Sequence, residues 1–469
     1  MLSFGASLIA RIVQLALGFI NIFLISRYLG PQQYGQYSFV VNFVMLFAPA
    51  IDLSLNHILT REISQNGIEK IVLIKAVFFL RLILFLLLFP FIITGANAFS
   101  GNGLHIHPLI LIYSTFLLNY AFSSSVSYFI SEYKLQYPSI INIIVNLLNT
   151  LAIYICVRLN LHLALILSAQ AFFPILSAVI IYMRVSGKIR SAKINKRQIL
   201  FCLNEIKYLG LAGIFTNIGF RINSAIVFIY LGANLSGLFN SAYKFIDMAN
   251  PLISVLMMTL FPKINEIISG KEKDLSVNDL ITGMLCIGTF TSLIIFSFPV
   301  ILIKIVFGEP FLAASSALRI LSVSFISIFT GNVIGFLIIA HRLQKQYLGS
   351  SAIVAVFNVS ALSLVVPAFG IIGTAVVSVL TELLSLFILL VTLIRHGFLR
   401  LETKMIKGLA LAALIMILSF VNQAAFASDL LSILLILAFI TFTIKQKIFP
   451  IIKLQKIFYG KRIGYNTNI

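Results

Sequence analysis

The chain has 469 residues, 60% of them hydrophobic and only 10% charged, with a mean hydropathy of +1.06. Soluble domains carry about one charged residue in four, so no water-soluble core can hide this apolar surface: a soluble enzyme is excluded and a polytopic membrane protein is expected. The formal net charge of +20 does not indicate a nucleic-acid partner, because the basic residues sit in short loops between apolar runs, where membrane topology explains them.

The runs are long and continuous, unlike the alternating segments of a membrane β-barrel, so the spans are helices. At about 1.5 Å per residue, roughly 18 to 25 residues cross the bilayer. Such runs lie at 2–26, 38–57, 73–95, 108–130, 139–158 and 161–183, and after a hydrophilic link at 206–231, 240–262, 280–306, 317–340, 349–367 and 370–394. A final pair at 405–422 and 428–446 brings the expected total to fourteen; twelve helices with a surface-lying tail is the alternative. The first run carries Arg11 and lacks the basic start and small-residue cleavage site of a secretory signal, so it is read as helix 1. The expected domains are an N-lobe at 1–183, a basic cytoplasmic linker at 184–205, a C-lobe at 206–395, and a C-terminal hairpin with a basic tail at 396–469.

Charge placement tests this layout independently. With the N-terminus inside, most of the 34 Lys and Arg fall in the even loops and the tail. The odd loops hold only Arg27, Arg158 and Lys304. By the positive-inside rule both termini are then cytoplasmic.

Internal repetition gives the architecture. Shifted by 202 residues, Asn21, Tyr28, Leu29, Gly30, Gly35, Phe43, Pro49 and Ile51 fall on Asn223, Tyr230, Leu231, Gly232, Gly237, Phe245, Pro251 and Ile253. At a slightly larger offset of 209, Pro90 falls on Pro299 and Asn149 on Asn358. Six helices per copy is an even number, so the fold class is an all-α membrane protein of two parallel six-helix lobes related by a pseudo-two-fold axis along the membrane normal. Prolines 49, 251 and 299 are expected to bend helices from within. Gly331 and Gly335 form a GxxxG expected to mark close helix contact.

Eight ionisable residues fall within the runs or near their ends: Arg11, Asp52, Arg81, Arg221, Lys244, Asp247, Arg319 and Glu382. Each costs roughly 2.5 to 3.5 kcal/mol at the bilayer centre, so eight facing lipid would oppose insertion by about 20 kcal/mol. They must face water or one another. Five are basic, and a planar guanidinium suits a dehydrated phosphate, so a cationic cavity binding an anionic headgroup through Arg11, Arg221, Lys244, Arg81 and Arg319 is expected. The competing account pairs these charges with helix ends or snorkels them to the interface. Lys244 and Asp247, three apart on one helix, can neutralise each other. Asp52, Asp247 and Glu382 are candidates for gating or for coupling to a proton or sodium ion; the plainer account of Asp52 is an ion pair with an arginine such as Arg61. Asn21, Asn146, Asn149, Asn223, Asn332 and Asn358 are candidate sugar contacts and equally candidate interhelical hydrogen-bond partners. Cys156, Cys202 and Cys286 show no pairing or metal spacing, and no P-loop accompanies them. No cofactor is expected. The basic linker and tail are expected to touch anionic membrane lipids.

The stretch RYLGPQQYGQYSF, followed by DLSLN and TREIS, resembles the polysaccharide-export flippases, the O-antigen and capsule repeat-unit translocases of the multidrug, oligosaccharidyl-lipid and polysaccharide exporter superfamily. The second-lobe stretch from Tyr230 to Ile264, with Lys244 and a Leu-Phe-Pro ending at Pro262, is similar to that family's matching helix pair. Arg27, Gly30, Gly35, Asp52, Asn56, Arg61 and Glu62 carry the first pattern. The resemblance implies a bacterial inner-membrane flippase in the O-antigen or lipopolysaccharide class. It would move an undecaprenyl-pyrophosphate-linked oligosaccharide by alternating access, alongside other glycan-assembly membrane proteins. Asn223 stands where relatives often carry an aspartate. A drug or cation antiporter of the same superfamily is the alternative function, for which a carboxylate-rich interior would be expected. A glycan polymerase would need a large arginine-bearing outer loop.

Overall fold

The computed structural model describes residues 2–53, 70–98, 106–132, 134–191, 196–268 and 276–399, with Leu55, Leu59 and Thr441 besides. It is helical almost throughout, with no strand among the described residues. Eight described helices are long and apolar enough to cross a membrane, and a bent pair, Glu309–Leu321 with Ser324–Ala340, adds a ninth if it forms one span. The final hairpin expected at 405–446 lies outside the described residues, apart from Thr441.

Three of these helices, Ala10–Asp52, Lys207–Asn250 and Gln344–Arg395, run 43, 44 and 52 residues, about twice what a span requires. Each is broken by a glycine in a non-helical conformation: Gly30 (φ 62°, ψ 177°), Gly232 (φ 78°, ψ 180°) and Gly370 (φ 57°, ψ −144°). Residues with a Cβ essentially never adopt this backbone region. The loops expected after Ser26 and Leu231 are thus replaced by turns on one residue. Pro31 follows at the start of the next helix, where its missing N–H is no loss. The repeat-related pair Gly30 and Gly232 turn alike, so the 202-residue repetition is structural.

Most of the linker described at 184–205 is also helical, continuing Leu163–Ser191 and opening Lys196–Ile268. Its lysines and arginines are good helix formers, so the helices run on past the apolar runs. Pro49 and Pro299 differ from expectation: they stand at the starts of Ala48–Asp52 and Pro299–Val306, where proline is tolerated, and so do not bend a helix from within.

The chain forms two compact units. The first comprises Met1–Asn240, Val306–Phe311 and Ser351–Thr374; the second comprises Ser241–Ile305, Leu312–Ser350 and Ala375–Ile469. In the first, one apolar core joins Phe39, Phe43, Val44, Ile51, Ile92 and Phe228, with Phe39 stacked on Phe228 at 4.2 Å. Leu364 and Phe369 are 77% and 69% exposed on its outside, a surface fit for lipid and not for water.

At one end of the first unit, residues 30–37 are gripped twice. A Cβ at Gly35 would collide with the Ala233 carbonyl, and one at Gly237 with the Pro31 carbonyl. Shifting by 202 exchanges these two contacts, so the approach is reciprocal, backbone on backbone. Next to it, the buried ring of Tyr34 meets Phe307 and Phe311 edge-on at 5.8 and 5.6 Å.

The run expected at 108–130 is a broken helix. Its serines bond back to carbonyls three residues earlier, as Ser114 does to Leu111 and Ser123 to Tyr120. Such back-bonding bends helices. A 3-10 turn follows at Thr115–Leu117, and the Ser124 and Ser125 N–H groups reach back to Ala121 and Phe122.

In the second unit, Val277–Ser297 packs on Ser324–Ala340, and a Cβ at Gly288 would stand 2.9 Å from the Phe325 carbonyl oxygen. The GxxxG glycines do not make this contact. Gly331 and Gly335 face open space, because the helix meets its neighbour through other residues. His341, just past Ala340, stacks on Phe398 at 3.8 Å.

Candidate functional site

Polar groups from five segments converge inside the first unit. Arg81, fully buried, donates to the Asp52 carboxylate at 2.5 Å and to the Tyr120 carbonyl at 2.9 Å. The serine-bent segment supplies that carbonyl, which also accepts from the Ser123 hydroxyl. Asp52 therefore pairs with Arg81, 29 residues away, while Arg61 lies outside the described residues. Burial makes such a pair costly to split rather than strongly stabilising.

Arg221 donates to Asn42 Oδ1 at 2.8 Å. Asn42 in turn donates to Asn240 Oδ1 at 3.3 Å, and Asn240 to the Ser236 carbonyl at 2.8 Å. Asn217 donates to the Met45 carbonyl at 2.8 Å, at the break before Ala48. The Tyr37 hydroxyl donates to Gln170 Oε1 at 2.8 Å. The Arg221 charge also acts on the hydroxyls of Tyr113 and Tyr120. A guanidinium bonded to the Asn42 amide and bordered by phenols is suited to an anion carrying hydroxylated groups.

The other anticipated residues are spread more widely. In the first unit Arg11 is exposed, and Arg27 lies over the Phe23 ring at 4.2 Å, its side chain beside Gly308. In the second, Lys244 Nζ stands 3.5 Å from the Asp247 carboxylate. Arg319 is half-buried near the Phe296 ring, and Glu382 is half-buried. Asn56, Arg61 and Glu62 lie outside the described residues, as does the Pro262 side chain. Among the asparagines, Asn358 donates to Asn223 Oδ1 at 2.8 Å and to the Gly219 carbonyl at 2.7 Å. Asn146 and Asn332 bond back to their own helices, and the buried Oδ1 atoms of Asn21 and Asn149 have no hydrogen-bond partner. Among the described residues no His/Cys/Asp/Glu cluster could hold a metal.

Sequence reasoning missed Asn42, Asn217, Asn240, Tyr37, Gln170, Tyr113 and Tyr120. Being neutral, they lack the charge that singled out the ionisable residues. The signal that could have found them is amides lying within apolar runs, where each needs a partner.

Multiple apolar helices with this architecture make a multi-pass membrane protein. The fold is similar to that of lipid II flippase MurJ in an inward closed conformation (TM-score 0.70, 15% identity, 95% of this chain and 99% of that one). It is similar also to a multidrug resistance MATE family transporter of the MOP superfamily (TM-score 0.61, 16% identity, 83% and 98%). A further likeness is to a MOP superfamily transporter from Pyrococcus furiosus with a binding pocket of reverse polarity (TM-score 0.55, 14% identity, 88% and 95%). The model of the polysaccharide biosynthesis protein family matches residues 3–268, more than half of the chain, and the chain belongs to that family. It is 27% identical over 343 residues to the uncharacterized membrane protein MJ1068 of Methanocaldococcus jannaschii, a match covering 67% of this chain and 64% of that protein. The match thus spans under two thirds of that relative's length.

Proposed function

We propose that the chain is a flippase that moves an undecaprenyl-pyrophosphate-linked oligosaccharide, of the O-antigen or capsule repeat-unit class, across a bacterial inner membrane by alternating access. The observation that carries this reading is Arg221, placed inside the helical unit, held by the neutral Asn42 amide and acting on two tyrosine hydroxyls. Membership of the polysaccharide biosynthesis family and the likeness to a lipid II flippase support it. In this reading Arg221 and Arg11 hold the pyrophosphate with Arg81 adding positive potential, and Lys244 and Arg319 add positive charge to the second unit. Asp52, held by Arg81, supports the site, while Asp247 or Glu382 exchanges a proton or sodium ion to return the empty carrier. The lipid tail stays in the bilayer, both termini are cytoplasmic, and the basic linker and tail rest on anionic headgroups.

The test uses proteoliposomes whose outer leaflet carries a pyrophosphate-linked lipid oligosaccharide, followed by its loss from a membrane-impermeant glycosidase. Protein-dependent protection that falls at least tenfold in Arg221→Ala is expected. Undiminished protection in that variant removes the assignment of Arg221. The MATE likeness keeps a cation antiporter as the second reading; dye resistance on overexpression, without lipid protection, would select it.

A further inference from the structure

Tyr113, Phe116 and Tyr120 lie three and four residues apart on the broken segment Ile106–Ser131, so all three project from one side. Their rings form a ladder: Tyr113 and Phe116 are parallel at 5.6 Å (6°), and Phe116 meets Tyr120 edge-on at 6.3 Å. Tyr113 is buried, its ring in the core with Phe39 and Phe228, whereas Phe116 and Tyr120 are half-buried and only rest against that core. The two outer rungs therefore keep a face uncovered beside that core. Neither tyrosine hydroxyl has a hydrogen-bond partner among the described residues, and neither oxygen is fully enclosed. The Tyr120 backbone is pinned by Arg81 and Ser123, which take its carbonyl, and the Arg221 charge reaches both hydroxyls. A rigid half-open aromatic step with spare hydroxyls beside a guanidinium matches one chemistry well. A pyranose has an apolar C–H face that stacks on an aromatic ring and a hydroxyl edge that needs donors and acceptors. A lipid tail would use the rings and leave the hydroxyls unsatisfied.

We infer that Phe116 and Tyr120, backed by Tyr113, form a sugar subsite that docks the first pyranose of the cargo next to the phosphate held at Arg221. The subsite rests on the flippase reading above and adds to it a place for the glycan. Gln170, held by Tyr37, and the Asn42–Asn240 pair are the nearby amides available to the sugar's hydroxyl edge.

The test compares equilibrium binding of two probes to the purified full-length protein in nanodiscs: undecaprenyl pyrophosphate, bare or carrying one N-acetylhexosamine. The wild type is expected to bind the sugar-bearing lipid about tenfold more tightly, the effect of about 1.4 kcal/mol. Tyr120→Leu and Phe116→Leu should lose that gain while binding the bare lipid unchanged, and Arg221→Ala should weaken both probes. Tyr120→Phe, which keeps the ring and the packing, should retain most of the gain and lose only the part the hydroxyl supplies. An unchanged gain in both leucine variants and in Tyr120→Phe, or equal loss of both probes in them, overturns the subsite and assigns these rings to packing. A wild type that binds both probes equally also overturns the subsite but leaves the flippase reading standing; a wild type that binds neither removes both.

Discussion

The hairpins around Gly30 and Gly232 share a backbone and differ in chemistry. Both turn on one glycine in the same conformation, and they meet through reciprocal glycine contacts. Yet Arg221 stands where the first copy has Phe19, and Lys244 where it has Asn42. Their polar partners differ as well. Asn223 and Asn358 are hydrogen-bonded to each other, whereas their repeat counterparts Asn21 and Asn149 bury Oδ1 atoms without a partner. Duplication preserved the positions where backbones must pass closely and left side chains free to diverge, so geometry is the conserved part of the repeat and electrostatics the individual part.

The largest break in this comparison should come from the ion pair that belongs to the first copy alone, since Phe290 replaces Arg81 in the second. Arg81→Ala leaves the Asp52 carboxylate, itself partly accessible, without its guanidinium, and should cost about 3 kcal/mol. Thermal melting in detergent measures it, and Asp52→Leu/Arg81→Met should restore most of the loss, because an apolar pair of similar volume needs no compensation.

Next come the shared glycines. Gly35→Ala and Gly237→Ala each drive a methyl into a carbonyl and should each cost about 2 kcal/mol, by nearly equal amounts because the contact is reciprocal. A clear inequality in melting temperature would show that the seam is not symmetric.

The asparagines sharpen the contrast further. Asn358→Leu takes a hydrogen bond from Asn223 and should cost about 1 kcal/mol, whereas Asn149→Leu removes a buried amide oxygen without a partner and should be neutral or stabilising. Equal effects would show that the first-copy amides bond as the second-copy ones do.

The smallest effect lies in the second unit, outside the spans. Burial pushes the His341 imidazole below the usual 6.5. The folded state thus takes up its proton at lower pH than the unfolded chain, so the contribution to stability is present above about pH 6.5 and is lost as pH falls below it. His341→Phe should flatten that part of the pH–stability curve, read by melting between pH 5 and 7.

Much of this was legible in the residues. The repeat paired Gly30 with Gly232, where two of the three turns fall, and the cost of intramembrane charge singled out Arg81, Asp52 and Arg221 as residues needing company. Which company was not legible. Arg81 and Asp52 belong to different helices, and pairing across helices leaves no periodic trace in one chain. The amides of Asn42 and Asn240 look in sequence like any others in an apolar run. Gly331 and Gly335 have contact-motif spacing but open surroundings, since spacing sets a face and not what the face meets. Pro49 and Pro299 were legible as breaks, but only the structure shows that each begins a helix.

The glycine seam and the Tyr34 clasp beside it differ in how fast they can let go. Two backbones in contact have no rotamers to search and can separate and rejoin as rigid bodies. Tyr34 must withdraw its ring from the touching pair Phe307 and Phe311 and find the same orientation on return. Any opening of this seam has to part three packed aromatic rings as well as two backbones, and Tyr34 is the residue through which the cost of parting them can be retuned.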